Sequence, residues 1–400
     1  MNILFLNLLK FSSFEEHNIY TDLLRELIKN SHNVYAVCPS ERRNKEKTNL
    51  KKFGDNTLLT VKTYNIQKTN ILEKGIATLA IKSQFIKAIK KYFKGIKFDL
   101  ILYPTPPITL YGVIKFFKKR DNARTYLMLK DIFPQNAVDL GMMKTTGIEG
   151  LIYKYFRKQE KKLYAVSDRI GCMSPANVEY VLKHNPEINK DKVEVFPNCI
   201  DVQDISLTDE EKNNIRIKYG LPLDKRIFVY GGNLGKPQDI PFVIECLKTE
   251  KNNKEAFFLI IGDGTEFNKL KIFSNESRQE NFRLLKRLPT NEFDQVLASC
   301  DIGLIFLDHR FTIPNFPSRL LSYMQDKLPV LACTDTASDI GKTIIDGGFG
   351  WWCESNGVDD FHKIVCTILN ENLEQKRNKS IEHLKNNYDV RLDKIQRALL

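Results

Sequence analysis

Short apolar stretches alternate with longer stretches of helical periodicity in two successive series, and this alternation constrains the fold more than any other feature. In the first series we predict strands at residues 3–8, 33–37, 100–103, 124–129 and 169–173, with helices at 19–29, 81–96 and 151–165. After a further strand at 193–196, we predict strands at 227–230, 257–261, 283–285, 302–306 and 329–332. Such alternation is typical of a doubly wound parallel sheet. The chain is therefore predicted to be α/β, with two Rossmann-like domains.

The boundary between the two domains is predicted near residue 200, just after a turn at Pro197-Asn198. We assign residues 1–200 to the first domain, 201–375 to the second and 376–400 to a polar, lysine-rich C-terminal helix. This helix is expected to pack back on the first domain. Because ligands of such sheets bind at the carboxyl ends of the strands, two facing domains are expected to enclose a cleft.

Length and composition limit the class of protein. The 400 residues, 42% of them hydrophobic, are enough for two domains with separate cores. No stretch approaches the roughly 18 uninterrupted apolar residues of a membrane-spanning helix, so we expect none. The eight cysteines are scattered, without a Cys-x-x-Cys pair. They are expected to be mostly buried, reduced thiols of a cytosolic protein.

Positive charge is concentrated in the first part of the chain. Residues 1–165 contain 30 Lys and Arg against 14 Asp and Glu, whereas the whole chain has a net charge of +12, so the remainder is net acidic. A basic half suggests an acidic partner. Anionic lipid, nucleic acid and a phosphorylated acceptor would all satisfy it.

The basic stretch at residues 81–97 has two interpretations. Six lysines lie between apolar side chains that recur at helical spacing. These apolar residues are Ile81, Phe85, Ile89, Tyr92 and Ile96. A helix that covers the domain core with one face and exposes lysines on the other explains this pattern without a function. The excess of lysine also fits attachment to a membrane surface.

The segment at 311–330, FTIPNFPSRLLSYMQDKLPV, predicts an anion site in the second domain. A loop bounded by prolines leads through Pro317 and Ser318 to Arg319 at a predicted helix start. Free N–H groups at a helix start favour phosphate, and Arg319 adds a forked, permanently charged donor.

Glycine-rich turns follow two predicted strands of the same domain. In VYGGNLGKPQD (229–239), Gly231 and Gly232 permit close approach of a ligand to the backbone, and Asn233 and Lys236 lie within reach of an anion there. Gly262, in the turn after 257–261, permits similar contact. An ordinary strand-to-helix turn explains each motif equally simply.

Other candidate residues follow strand ends. Backbone groups around Leu288 either read the edge of a nucleobase or form a plain loop. In the first domain, Lys130 and Asp131 end a predicted strand. Asp131 either hydrogen-bonds a sugar hydroxyl or caps the element that begins at Pro134. His17 either touches substrate or is a surface histidine, and no histidine has metal-type spacing.

Taken together, these motifs resemble the retaining family-four glycosyltransferases of the GT-B fold, especially those of capsule and O-antigen synthesis. The resemblance covers nearly the whole chain and rests on residues 130–142 (KDIFPQNAVDLGM), 195–201, 230–239, 260–264 and 313–332. It implies two Rossmann-like domains, with a nucleotide-sugar donor in the second and an acceptor in the first. It implies neither a metal nor another cofactor.

The resemblance also implies roles for single residues. The residues expected to face the donor are Gly231, Gly232, Asn233, Lys236 and Gly262 at its phosphates, Pro317, Ser318 and Arg319 at its diphosphate, and the backbone around Leu288 at its base. Asp131 would meet the reacting sugars, with Lys130 and His17 on the acceptor side; Asp131 and Arg319 are the expected catalytic residues. The family usually carries two glutamates eight positions apart, one of which anchors the ribose, but Pro314 and Ser322 occupy those positions here.

The function expected from this resemblance is transfer of a sugar from a UDP-sugar donor to a polyprenyl-diphosphate-linked saccharide. The protein would work in the cytoplasm at the inner face of the cell membrane, and its basic first domain would contact the membrane surface. A sugar-nucleotide 2-epimerase of the same architecture is one alternative. Nucleic-acid binding by the basic half is another, although no reading helix or RNA-binding pattern occurs and we expect no nucleic-acid partner.

Overall fold

The computed structural model describes residues 1–65, 71–203, 207–392 and 398–399, apart from the side chains of residues 71–79. The chain forms two compact units. One comprises Met1–Asp201 together with Val390–Leu400, and the other comprises Val202–Asp389. Both are α/β units with parallel-sheet cores, as predicted.

The first unit contains a sheet of eight strands among its described residues. The strands are β1 (Asn2–Leu6), β2 (Asn33–Glu41), β3 (Asn49–Phe53), β4 (Asn56–Thr63), β5 (Leu100–Pro104), β6 (Arg124–Leu129), β7 (Arg169–Cys172) and β8 (Val193–Val195), in the order β3-β4-β2-β1-β5-β6-β7-β8. All neighbours are parallel except β3 and β4, which form an antiparallel hairpin. The sequence did not predict this hairpin.

Six α-helices of the described chain surround this sheet. They are α1 (Ile19–Lys29), α2 (Ile71–Tyr92), α3 (Tyr111–Asp121), α4 (Gln135–Asp139), α5 (Gly147–Val166) and α6 (Pro175–His184). Asn18 caps α1 by accepting hydrogen bonds from the amides of Tyr20 and Thr21. On α2, Ile81, Phe85 and Ile89 are buried. The apolar stripe of the lysine-rich helix therefore covers the core of its own unit.

The second unit contains a fully parallel sheet, with six strands in the part of the chain described. They are β9 (Arg226–Asn233), β10 (Ala256–Asp263), β11 (Phe282–Lys286), β12 (Ile302–Phe306), β13 (Val330–Thr334) and β14 (Gly350–Glu354), in the order β11-β10-β9-β12-β13-β14. The helices are α7 (Asp209–Lys218), α8 (Ile240–Thr249), α9 (Phe267–Ser277), α10 (Thr290–Ala298), α11 (Arg319–Gln325), α12 (Ile340–Asp346), α13 (Val358–Leu369) and α14 (Glu374–Asn387). In the core, Phe228 of β9 and Phe258 of β10 stack on each other, and Phe361 of α13 packs against Phe258 at a tilt.

The C-terminal helix is shorter than the sequence suggested. Helix α14 ends at Asn387 and lies in the second unit, where Ser380 Oγ donates to the carbonyl of Leu328 at 3.0 Å. The chain then enters the first unit at Val390, whose amide donates to the carbonyl of Ile200 at 3.0 Å. The chain therefore returns to the first unit only after α14 has ended, and it does so as a non-helical segment whose Val390 amide bonds Ile200.

Two further expectations concern membrane spans and cysteines. No helix in the described parts of the chain combines the length and apolar character needed to cross a membrane. All eight cysteines are free thiols, and all except Cys366 are buried. The expectation that the cysteines are mostly buried is confirmed.

Candidate active site

The predicted helix start in the second unit is confirmed. Helix α11 begins at Arg319, directly after Ser318, and the amide of Leu320 donates to the carbonyl of Pro317 at 3.2 Å. The segment follows β12, so Arg319 lies at the carboxyl edge of the sheet. With seven residues α11 is short, and the positive charge at its start comes chiefly from the Arg319 side chain.

The guanidinium of Arg319 lies over the ring of Tyr230, with Cζ 4.4 Å from the ring centroid. Its Nη1 is buried and has no hydrogen-bond partner among the described residues. A buried charged donor without an acceptor is unfavourable, and native structures rarely retain one. The arrangement is suited to an anion that supplies the missing acceptor.

Gly231 and Gly232, at the end of β9, lie beside this guanidinium. Gly232 has φ +133°, and a Cβ on it would lie 3.6 Å from Cζ and Nη2 of Arg319. The amide of Gly231 donates to the Tyr323 hydroxyl at 3.2 Å, and a Cβ on Gly231 would lie 2.3 Å from Phe293. The structure therefore brings Gly232 and Arg319 together, with Gly231 next in the chain; packing against Phe293 requires glycine at Gly231, and the positive φ favours glycine at Gly232.

Asn233 and Lys236 occupy different surroundings in the turn after β9. Asn233 Nδ2 donates to Gln238 Oε1 at 3.0 Å, and the Asn233 carbonyl accepts from the Tyr230 hydroxyl at 2.6 Å. Asn233 thus holds the loop in shape. Lys236 is exposed at the start of the 3₁₀ turn Lys236–Gln238, where its ammonium is available to solvent or an anion.

Gly262 has a structural explanation. It pairs in register with Gly232, and a Cβ on it would lie 2.0 Å from the Gly232 carbonyl oxygen. Gly262 therefore permits β9 to approach β10 closely and supports the site indirectly. Leu288 is half-buried in the loop between β11 and α10. Because β11, β10, β9 and β12 are consecutive neighbours, all the predicted donor residues lie along one carboxyl edge.

An acidic group that the sequence did not predict lies at the same edge. Ligand atoms of Asp239, Asp308 and His309 lie within 4.8 Å of one another. Asp308 accepts hydrogen bonds from Arg310 Nε at 2.9 Å and Nη2 at 2.6 Å, and Asp239 caps α8. Since both carboxylates already have partners, we assign no metal to this group.

In the first unit, Lys130 and Asp131 directly follow β6, as predicted. Thr105, just after β5, fixes their backbone: its Oγ1 accepts from the amides of Lys130 at 3.0 Å and Asp131 at 3.2 Å and donates to the Asp131 carbonyl at 3.1 Å. Thr105 is buried. No sequence motif singled it out, because its role depends on the pairing of β5 with β6.

The Asp131 carboxylate accepts a hydrogen bond from Asn136 Nδ2 at 2.8 Å. Burial raises the pKa of Asp131 to about 6. Helix α4 begins at Gln135 with Pro134 at its N-cap and without a side-chain cap, so the capping interpretation of Asp131 is wrong. Asn136, which the sequence analysis did not select, orients this carboxylate instead.

Lys130 and His17 flank the acceptor side of the predicted site. Burial lowers the pKa of Lys130 to about 8, and its Nζ lies 3.5 Å from the Phe196 carbonyl oxygen. His17 is exposed after β1, with Nδ1 3.1 Å from Arg25 Nη2 and 3.6 Å from Asp22 Oδ1. His17 follows β1 and Asp131 follows β6, and β5 lies between these two strands in the sheet. The two residues therefore share the carboxyl edge but do not follow neighbouring strands.

Two family models match successive parts of the chain. The Glycosyltransferase Family 4 model matches residues 18–204, and the Glycosyl transferases group 1 model matches residues 211–387. The chain is a glycosyltransferase. The Glycosyltransferase Family 4 match covers most of the unit that carries Asp131, and the Glycosyl transferases group 1 match covers most of the unit that carries Arg319.

Individual proteins agree with this identification. "Probable glycosyltransferase WbjE" of Pseudomonas aeruginosa is 26% identical to this glycosyltransferase over 289 residues, which are 72% of this chain and 70% of WbjE. "Putative colanic acid biosynthesis glycosyl transferase WcaI" of Escherichia coli (strain K12) is 21% identical over 57% of this chain and 54% of WcaI. HepE of Anabaena, solved in complex with UDP-glucose, superposes with a TM-score of 0.68 at 13% identity, over 100% of this chain and 98% of HepE. The GT-B class predicted for this glycosyltransferase is confirmed.

Proposed function

We propose that this glycosyltransferase transfers a sugar from a UDP-sugar to a lipid-linked saccharide during synthesis of a bacterial surface polysaccharide of the capsule or O-antigen type. The observation that carries the proposal is the buried, unpartnered Nη1 of Arg319 beside Gly232. The name of WcaI refers to colanic acid biosynthesis, and HepE was solved with UDP-glucose. Both support this choice of acceptor class and donor.

The donor diphosphate is proposed to lie against Arg319, with Gly231 and Gly232 allowing its close approach. The forked guanidinium can donate two parallel hydrogen bonds to phosphate oxygens. Lys236, exposed in the neighbouring turn, and the loop of Pro317 and Ser318 complete the proposed contacts. Backbone groups around Leu288 are proposed to meet the base.

The ribose contact is proposed to differ from the usual one. Ser322 is exposed on α11, one turn after Arg319, whereas Pro314 is buried. The serine side chain at this position is shorter than that of glutamate and carries no charge. The ribose must therefore be held more weakly or by another residue, while Arg319 retains the diphosphate.

The proposed mechanism retains the anomeric configuration. As the bond between sugar and diphosphate breaks, negative charge grows on the leaving phosphate, where Arg319 and Lys236 stabilise it. The acceptor hydroxyl attacks from the same face and passes its proton to the departing phosphate oxygen. Asp131, held by Asn136, accepts a hydrogen bond from that hydroxyl and orients it. The mechanism requires neither a metal nor another cofactor.

The proposed acceptor is a polyprenyl-diphosphate-linked saccharide, which is anchored in lipid. We therefore propose that the enzyme acts at the cytoplasmic, inner face of the cell membrane. Lys130 and His17 are proposed to contact the acceptor. The Lys130 ammonium would bind the anionic diphosphate of the acceptor. The family matches favour this activity over a 2-epimerase and over nucleic-acid binding.

A thermal-shift panel of UDP-, GDP- and ADP-sugars tests the donor class, because a ligand that prefers the folded state raises its apparent stability. Arg319→Ala should abolish selective stabilisation by UDP-sugars and lower turnover by roughly 10²–10³-fold. Arg319→Lys keeps the positive charge but loses the forked pair of donors, so it should retain only part of the stabilisation by UDP-sugars and part of the turnover. Lys271→Ala, on the exposed side of α9, is the matched control for loss of a surface cation.

Release of UDP should depend on a lipid-linked acceptor. Release of UDP together with free sugar in the absence of acceptor would favour the epimerase instead. Full activity of Arg319→Ala with every donor would remove Arg319 from the mechanism and, with it, the main support for the proposal.

A further inference from the structure

Helix α5 exposes a stripe of large apolar side chains on its first two turns. The stripe consists of Ile148, Leu151, Ile152 and Tyr155, which are 83%, 66%, 47% and 43% exposed. Their spacing of three, four and seven residues places them on one face of the helix. Isolated exposed apolar residues are common, but a contiguous set marks a surface that contacts something.

The other end of the helix explains how this stripe is held. Leu163, Tyr164 and Val166 are buried in the first unit, so the C-terminal half of α5 anchors the helix. The N-terminal half presents its apolar face to solvent. Met142, in the loop before α5, is 58% exposed and extends the apolar surface.

Exposed lysines border the apolar stripe. Lys154 and Lys158 follow Leu151 and Tyr155 by three residues and are therefore their neighbours on the helix surface, and Lys144 is exposed just before the helix. Of the two acidic residues within α5, Glu160 is buried and paired with Arg157, and Glu149 lies in the first turn. An apolar face bordered by lysines is typical of a helix that lies in the interface of an anionic bilayer.

We infer that the α5 stripe inserts into the surface of an anionic lipid bilayer and anchors the enzyme there. This inference rests on the proposed function and deepens it by identifying the lipid-contacting surface. A single segment runs from Asp131 through α4 and Met142 into α5. The surface is thus continuous along the chain with the residue proposed to orient a lipid-linked acceptor.

Helix α2, the other basic candidate, lacks an equivalent apolar surface in its described part. Ile81, Phe85 and Ile89 are buried against the core. Its described lysines can attract an anionic membrane but cannot insert into it. Among the side chains that the structure describes in α2 and α5, the apolar surface suited to membrane attachment therefore lies on α5.

A second copy of the chain fits the stripe less well than a bilayer. Four side chains supply little of the roughly 800 Å² per partner that a stable interface buries. A symmetric dimer would also bring Lys154 and Lys158 of both copies into one interface, where like charges repel. An anionic bilayer accepts both the apolar face and the lysines.

Vesicle flotation at about 0.15 M salt tests the inference. The intact protein should float with vesicles of phosphatidylcholine mixed with phosphatidylglycerol. Ile148→Ser with Leu151→Ser should weaken this binding by roughly tenfold or more, because partitioning scales with the apolar area inserted. Lys154→Gln and Lys158→Gln should weaken it by roughly fivefold each on anionic vesicles and leave binding to pure phosphatidylcholine unchanged.

The matched control is Ile217→Ser, an isoleucine 62% exposed on α7 of the second unit, which should bind vesicles like the unaltered protein. Stabilisation by UDP-sugars should persist in all these variants, so donor binding separates a failure of the proposed function from a failure of this inference. Unchanged flotation of the Ile148/Leu151 variant would overturn the inference. So would a dimer in solution that this variant converts to a monomer.

Discussion

The Arg319 guanidinium lies over the Tyr230 ring, with Cζ 4.4 Å from the ring centroid, and the Tyr230 hydroxyl donates to the Asn233 carbonyl at 2.6 Å. Tyr230 thus supports both the cation and the glycine turn beside it. The same residue links β9 to α11, two elements far apart in sequence. Its two contacts can be separated by mutation.

Tyr230→Leu should weaken donor binding more than Tyr230→Phe does. Phenylalanine keeps the ring beneath Arg319 and loses the hydroxyl, with its hydrogen bonds to the Asn233 carbonyl and to Arg319, whereas leucine loses the aromatic ring as well. A cation–π contact is worth about 0.5–2 kcal/mol, which corresponds to roughly 2- to 30-fold in affinity. Calorimetric titration with a UDP-sugar measures the difference; equal affinities for the two variants would show that the ring does not support Arg319.

Alanine at Gly232 and at Gly262 should have different consequences. Gly232→Ala places a side chain at φ +133°, at a cost of about 1–3 kcal/mol, and next to Arg319, so donor binding should fall with modest loss of stability. Gly262→Ala puts Cβ 2.0 Å from the Gly232 carbonyl oxygen, so β9 and β10 must separate. Thermal unfolding with and without UDP-sugar distinguishes them. A lower unfolding midpoint for Gly232→Ala than for Gly262→Ala would contradict this ranking.

Most core strands could be predicted because buried parallel strands are continuous apolar runs, as in β1 and β9, whereas β14 was not predicted. The β3–β4 hairpin could not be predicted as readily: β3 is a short edge strand with two exposed lysines, Lys51 and Lys52, and lacks an apolar run. Ser318 and Arg319 were predictable from a local pattern. By contrast, Thr105 and Asn136 act through contacts that exist only after folding.

The α5 stripe illustrates a different limit. Its spacing is visible in the sequence, but the same spacing on α2 belongs to a buried face. Periodicity identifies an apolar side of a helix and does not say whether the protein or another molecule covers it. Only the surroundings of each helix in the folded unit separate the two cases.

Asp131→Asn should stabilise the fold at pH 7 while it lowers transferase activity. Burial raises the pKa of Asp131 from 3.8 to about 6, so the folded state binds the proton more tightly than the unfolded state. The stability gained from protonation is complete below the unfolded pKa and is lost as pH rises through about 6. At pH 7 the ionised group therefore costs stability, on the order of 1–3 kcal/mol.

Urea unfolding at pH 4 and pH 7 measures this effect. The gain in unfolding free energy from Asp131→Asn should be larger at pH 7 than at pH 4, and Asp139→Asn in the same segment is the control.

Asn136→Ala should remove the hydrogen bond that favours the ionised Asp131 carboxylate and move the acid limb of the pH–activity profile to higher pH. An unmoved acid limb in this variant would contradict the assignment of Asn136 as the residue that orients Asp131.

Lys130→Met should raise the KM for a diphosphate-linked acceptor and leave donor affinity unchanged. A hydrogen bond to a charged group contributes about 1.5–3 kcal/mol, so the expected rise in KM is roughly 10- to 100-fold. Because burial lowers the pKa of Lys130 to about 8, the ammonium loses its charge above that pH, and the acceptor KM of the unaltered enzyme should rise there. The methionine variant should have a high KM that does not change across the same range. Steady-state kinetics between pH 7 and pH 9 test both statements, and an equal pH dependence in the two enzymes would exclude Lys130 from acceptor binding.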